Sequence, residues 1–138
     1  MKINPADTAF SWCVRERADW TCEYCGLKFM PPTKALQNSH FITRGNWSTR
    51  YEPLCCDALC GTCHFLLGGD PYLYTEWKLG KTGQEGMDIL NEKKNDPMIG
   101  KEMRHQKKGI AKHYRLELLK MQKLRAQGIS GRLEFVGY

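Results

Sequence analysis

The chain has 138 residues, of which 41% are apolar and 26% charged, and it carries a net charge of +6. That length suits one hydrophobic core, with or without an extension. No apolar run approaches the ~20 residues needed to cross a bilayer, which excludes a membrane span.

Taken in chain order, Asp7 or Thr8 is positioned to cap a helix over Ala9 to Ala18, with Phe10, Cys13 and Val14 at helical offsets. The N-terminal residues Met1 to Pro5 lead into a polar stretch with no signal-peptide pattern, so the chain reads as cytoplasmic, where thiols stay reduced. Trp20 to Gly26 forms a tight turn holding Cys22-x-x-Cys25. Pro31-Pro32 then breaks the chain, and Leu36 to Thr43 reads as a short strand carrying Ser39-His40-Phe41. Residues 44–54 have no period and read as a loop. A second turn, Cys60-x-x-Cys63 followed by His64, runs into a helix that Gly68-Gly69-Asp70-Pro71 cuts to one or two turns. A helix over Tyr72 to Leu79 follows, then turns at Gly80, Gly83 and Gly86, and a short helix over Met87 to Lys94.

Beyond Pro97 lies the longest candidate helix. Ile110, Tyr114, Leu118, Met121 and Leu124 form an apolar stripe, Gly109 is a candidate break, and Gly128 a stop. Residues 98–127 hold nine Lys or Arg against Glu102 and Glu117, a net +7 that leaves the remaining 108 residues at −1. A basic element on a nearly neutral body suggests contact with a polyanion, although many basic helices are only solvated surfaces. The reading is therefore two regions, a core over 1–96 and a basic helical extension over 97–138.

The strongest chemical signal is the pair of Cys-x-x-Cys hooks. Cys22, Cys25, Cys60 and Cys63 have the spacing of a closed tetrahedral four-cysteine zinc site, provided the 34 residues between the hooks fold back. Two disulfides or a set of buried thiols are the alternatives, and the odd total of seven cysteines fits a disulfide framework poorly. Between the hooks lies His40, and directly after them His64. A strand, a loop and a helix pinned by a structural zinc would frame a one-metal phosphodiesterase site. Such a site needs a neutral imidazole to take a proton from water and a divalent cation to neutralise phosphate charge.

Gln37-Asn38-Ser39-His40-Phe41, followed by Asp57-Ala58-Leu59-Cys60-Gly61-Thr62-Cys63-His64, resembles the HNH endonucleases of the zinc-bound ββα-metal superfamily. Arg50-Tyr51-Glu52-Pro53-Leu54 and Tyr72-x-x-x-Glu76-Trp77 extend the likeness to the phage lambda NinG (Rap) recombination-protein family, over roughly residues 8–80. The resemblance implies an α+β fold: a small ββα-metal core stapled by zinc, with flanking helices. It implies a DNA endonuclease of phage or prophage recombination, using structural Zn2+ and catalytic Mg2+ or Mn2+, acting on DNA that is branched or structured, as a monomer or a homodimer.

By the same resemblance Cys22, Cys25, Cys60 and Cys63 hold the zinc, His40 is the general base and His64 ligates the catalytic ion. The chain departs from the pattern at three places. Ser39 stands where Asp or His usually binds metal, Cys55 where an asparagine orients the loop, and Gly68 where a further ligand can lie, so Asp57 or Asp70 would have to help. A thiol at Cys55 is expected to replace an amide poorly. Arg44 and Arg50, on the loop between the histidines, are expected to clamp a phosphate, or else to be solvated. Trp47 is either a base-stacking residue or a loop anchor. His64 has two further readings, as a substitute zinc ligand or a plain helix-start residue. Two other functions stay open: a zinc-stabilised DNA-binding module without turnover, and an adaptor that docks through the Ile110–Leu124 stripe.

Overall fold

A computed structural model describes residues 2–138. Helix α1 spans Pro5–Arg17 and starts earlier than the sequence suggests. Its cap is Asn4: the Asn4 side chain accepts from the Asp7 backbone N–H at 3.0 Å, and the Asp7 carboxylate accepts from the Asn4 N–H at 2.9 Å. This reciprocal capping box satisfies two N–H groups that no helical carbonyl can reach, and Pro5 suits the first turn because it has no N–H to satisfy.

After α1 the chain reverses through Asp19 and Trp20, both at positive φ. The Trp20 indole N–H donates to Glu16 at 2.6 Å and its edge meets Trp12, which holds this otherwise disfavoured conformation. A small hairpin follows, closed by pairing of Thr21 with Lys28 and by the Cys22 N–H donating to the Leu27 carbonyl at 2.8 Å. Gly26 turns it at φ +81, where a side chain would be strained.

Strands β1 (Leu36–His40) and β2 (Cys56–Cys60) pair antiparallel, in a register running from Leu36 opposite Cys60 to His40 opposite Cys56. The strand expected to reach Thr43 ends at His40, because the chain leaves the ladder there for the 41–55 loop. A short 3-10 turn, Pro53–Cys55, re-enters the sheet. Cys60 caps helix α2 (Gly61–Gly68), so strand, loop, strand and helix follow in ββα order. Helix α3 runs Pro71–Lys94 with one break at Gly83 (φ 71, ψ 171). The two helices expected here are present and meet at this kink; Gly83 alone leaves the helical conformation, whereas Gly80 and Gly86, expected as further turns, are carried within the helices.

Helix α4 (Pro97–His105) is capped by Asp96, and α5 (Lys107–Ala126) follows after a break at Gln106 rather than at Gly109. Ile110, Ala111, Tyr114 and Met121 of α5 are buried in the same core as Phe10, Cys13 and Val14 of α1. Most of the apolar stripe is thus an internal packing face covered by α1, which leaves only its Leu124 end, 37% exposed, for the adaptor reading. Position 96/97 marks a change in charge rather than a gap in packing. The tail returns to the core as well. Phe135 is buried beside Phe10 and Tyr114, and the Val136 N–H donates to Glu117 at 2.8 Å. Among the described residues, no helix is long and apolar enough to cross a membrane.

Candidate metal centre and catalytic site

The Cys22–Cys25 hairpin and the Cys60–Cys63 turn meet at one point. All four sulfurs lie within 4.8 Å of one another, and Cys25 Sγ is 3.8 Å from Cys60 Sγ. Four thiolates at a Zn–S bond of ~2.3 Å in tetrahedral geometry sit about 3.8 Å apart, so the donor set fits zinc. A disulfide needs sulfurs ~2.05 Å apart, and all seven cysteines are free. The thiols differ in acidity. Burial acts to raise Cys22, but backbone hydrogen bonds at Cys25, Cys60 and Tyr24 outweigh it and bring the thiol down to about 7. Burial and the neighbouring thiols push Cys63 up. Four thiolates this close repel one another unless a cation neutralises them. Cys56 stands opposite His40, at the far end of β2 from Cys60, and lies outside this cluster.

His40 ends β1 as a partly buried residue. Its Nε2 lies 3.0 Å from the Arg50 carbonyl oxygen, which can only accept, so Nε2 carries the proton and Nδ1 keeps a lone pair. Burial lowers its pKa, as do the charges of Arg44 and Arg50, while the Arg50 carbonyl and Asp7 oppose the shift. The ring is therefore neutral at pH 7, with a fixed tautomer. His64, in the first turn of α2, places Nδ1 2.5 Å from Gln37 Oε1. The amide oxygen accepts the Nδ1 proton and leaves Nε2 free to ligate, the arrangement usual for a metal-bound histidine and its supporting acceptor. This assigns His64 a side chain on β1 rather than a place in the sulfur cluster.

Side chains alternate along a strand, so Gln37 and Ser39 share the face that meets α2 and α3, while His40 belongs to the other. Ser39 Oγ is 2.8 Å from the Tyr74 hydroxyl of α3, in keeping with that face. The two histidines make no hydrogen bond to each other; each is set by its own partner on either side of the strand end.

Three expectations need correction. Arg50 is 1% exposed, and its guanidinium grips Asp7 through Nε–Oδ1 at 2.8 Å and Nη2–Oδ2 at 2.6 Å. Its planar fork is committed to a carboxylate, so it holds the loop rather than clamping a phosphate. Arg44 is partly exposed and acts electrostatically on both His40 and Asp7. Asp57 cannot assist a catalytic ion, because it is 1% exposed and bound by Lys78 at 2.7 Å and Lys81 at 2.6 Å. Asp70 caps α3 by accepting from the Leu73 N–H at 3.0 Å. Cys55, in contrast, does both halves of an amide's work: its sulfur accepts from the Ile42 N–H at 3.3 Å and faces the Ile42 carbonyl at 3.6 Å. One residue's two backbone groups are clamped, and the entry to the 41–55 loop is fixed.

Trp47 is a partly buried loop anchor, stacked by Arg50 at 4.1 Å from its ring centre and meeting Tyr51 edge-on. Spacing in the sequence pointed to neither Gln37 nor Asp7. Both act through contacts made only after folding. Among the described residues, the four cysteines are the one cluster of three or more metal-capable side chains. No family model, curated protein or solved structure matches the chain.

Proposed function

We propose that the protein is a metal-dependent DNA endonuclease. The observation that carries this reading is a ββα unit bearing two histidines with complementary tautomers. His40, neutral and tied to the Arg50 carbonyl, offers Nδ1 as a base; His64, tied to Gln37, offers Nε2 as a ligand. A phosphodiester would bind near the end of β1 with Arg44 facing its charge. His40 Nδ1 would accept the proton of the attacking water as the oxygen approaches phosphorus opposite the leaving 3′-oxygen. A divalent cation on His64 Nε2 would supply neutralisation of the phosphate and leaving-group charge, which requires the scissile phosphate to lie across the end of β1, between the face that carries His40 and the face that carries Gln37 and His64. The expected products are 5′-phosphate and 3′-hydroxyl ends, and the resemblance extends the substrate to branched DNA of phage recombination. The zinc of the four-cysteine cluster, remote from the water, would hold β2 and α2 in place.

A second reading, a zinc-stabilised DNA-binding module without turnover, is favoured by the sparse ligand set. Ser39 is bonded to Tyr74 and Asp57 to two lysines, which leaves His64 with no further ligand but the helix-capping Asp70. Incubation with supercoiled and four-way-junction DNA, in Mg2+, Mn2+ or Ni2+, separates the two. Cation-dependent cutting with 5′-phosphate ends supports the nuclease. Tight binding with intact DNA under all three cations supports the module.

A further inference from the structure

The basic segment is not uniform once folded. Two of its C-terminal charges make internal contacts: Arg125 donates to the Glu16 carbonyl at 2.8 Å and lies 3.6 Å from Asp19, and Lys120 pairs with Glu117 at 2.7 Å, while Lys123 between them is exposed and, among the described residues, faces no ring. At the corner between α4 and α5 the situation is reversed. Lys101, Arg104, Lys107 and Lys108 are exposed, and among the described residues none of them makes an ion pair. Arg104 and Lys107 converge on one ring, 5.6 Å and 5.5 Å from the centre of Trp47, which Arg50 already stacks at 4.1 Å. Lys107 and Lys108 also occupy the first turn of α5, which has neither a side-chain cap nor an acidic residue. Cations there oppose the helix dipole and repel one another, so the arrangement destabilises the free chain. A polyanion would offset that.

The corner is also fixed relative to His40. Gly100 of α4 packs on the loop so closely that a Cβ there would meet the Ser48 backbone nitrogen at 3.4 Å. Contacts link the corner to His40: the His40 ring meets the Arg50 carbonyl at 3.0 Å, the Arg50 guanidinium stacks on Trp47 at 4.1 Å, and Arg104 lies 5.6 Å from the centre of the same ring. We infer that the α4–α5 corner, through Lys101, Arg104, Lys107 and Lys108, is a backbone-phosphate site that holds duplex DNA a few nucleotides from the bond presented to His40, and that the Lys120–Arg125 end takes no part. The inference rests on DNA being the polyanion of the proposed function. The Trp47 ring, held from beneath by Arg50, sets where Arg104 and Lys107 stand, so the site reads phosphate position and no base sequence.

The test is fluorescence anisotropy with a labelled duplex of about 30 base pairs and the full-length, zinc-loaded protein, without added Mg2+ or Mn2+, from about 50 to 300 mM KCl, a range over which phosphate contacts dominate the salt dependence. Each lost phosphate contact lowers the slope of log K against log salt by ~0.9. Arg104→Gln/Lys107→Gln is expected to reduce the slope by about 1.8, and Lys120→Gln/Lys123→Gln, which removes the same charge, by under about 0.5. Thermal melts of both variants, together with Arg104→Lys/Lys107→Arg, which keeps charge and should restore the slope, separate binding from folding. Equal reductions in both double variants, an unchanged slope at the corner, or binding to anionic phosphatidylserine vesicles but not to the duplex would each overturn the inference. Because binding is read without cleavage, a corner-dependent slope stands even if no cation supports cutting. Cutting with an unchanged slope would sink the corner and leave the nuclease reading intact.

Discussion

Replacing Asp7 with asparagine tests the link between α1 and the loop that sets His40. The Asp7–Arg50 pair has both partners almost fully buried, two charge-assisted hydrogen bonds, and a cation stacked on Trp47 behind it. Removing one partner of a buried pair leaves an uncompensated charge, which destabilises by about 3–5 kcal/mol. Asparagine still offers an oxygen to Arg50 or to the Asn4 N–H, so the lower end, about 3 kcal/mol, is expected. For a chain of this length that corresponds to a fall in Tm of roughly 10 °C, while the variant stays folded at about 25 °C. Urea unfolding of wild type, Asp7→Asn, Arg50→Met and the double variant measures the coupling. The double variant is expected to be more stable than the sum of the single losses implies, by at least about 1 kcal/mol. The wild type should show a matching pH dependence. Burial acts to raise Asp7, but the Arg50 hydrogen bond, the Asn4 N–H and the arginine charges hold it below its ordinary value. Its contribution is therefore complete above about pH 4 and is lost as pH falls through the folded value. Additive losses, or a melting curve of Asp7→Asn matching wild type at pH 7, would refute the reasoning.

Other outcomes follow from the same contacts. Elemental analysis of reduced protein should find one zinc per chain; Cys22→Ser or Cys63→Ser should lose it along with cooperative unfolding, whereas His40→Ala should keep both. A chain ending at Asp96 should fail to unfold cooperatively, because loss of Ile110, Tyr114 and Met121 bares Phe10, Cys13 and Val14; a stable truncated monomer would contradict the shared core. Cys55→Ala should lower the cutting rate by about tenfold or more with little change in DNA binding, since the loop that carries the Arg50 carbonyl loses its clamp at Ile42; Cys55→Asn should recover most of that loss. The rate of cutting should rise with pH to an inflection below the ordinary histidine value of about 6.5, because burial disfavours the His40 imidazolium.

Local chemistry in the chain announced the elements that depend on local chemistry. The two Cys-x-x-Cys hooks meet as their spacing predicts, and a strand bearing His40 and a short helix bearing His64 are present, the strand ending at His40 instead of Thr43 and the helix opening at Gly61, ahead of His64. What stayed hidden depends on partners remote in sequence. Arg50 looked like a phosphate ligand because a loop arginine between two histidines has no visible acid, yet Asp7 lies 43 positions earlier. Asp57 looked like a spare metal ligand until α3 brought Lys78 and Lys81 onto it. Cys55 looked like a defect because side-chain type, and not the position of the Ile42 backbone, was all the chain displayed. The break at Gln106 instead of Gly109, and at Gly83 instead of Gly80 or Gly86, shows that a glycine permits a break without fixing where it falls.

The measurement that bears most directly on the proposed function is single-turnover cleavage of plasmid DNA by zinc-loaded wild type and by zinc-loaded His40→Ala, compared at equal DNA occupancy in Mn2+ at pH 8. Cation-dependent cutting by wild type is expected, with a loss of at least about 100-fold in His40→Ala, the usual contribution of a positioned general base. Equal rates for the two proteins would contradict the role given to His40.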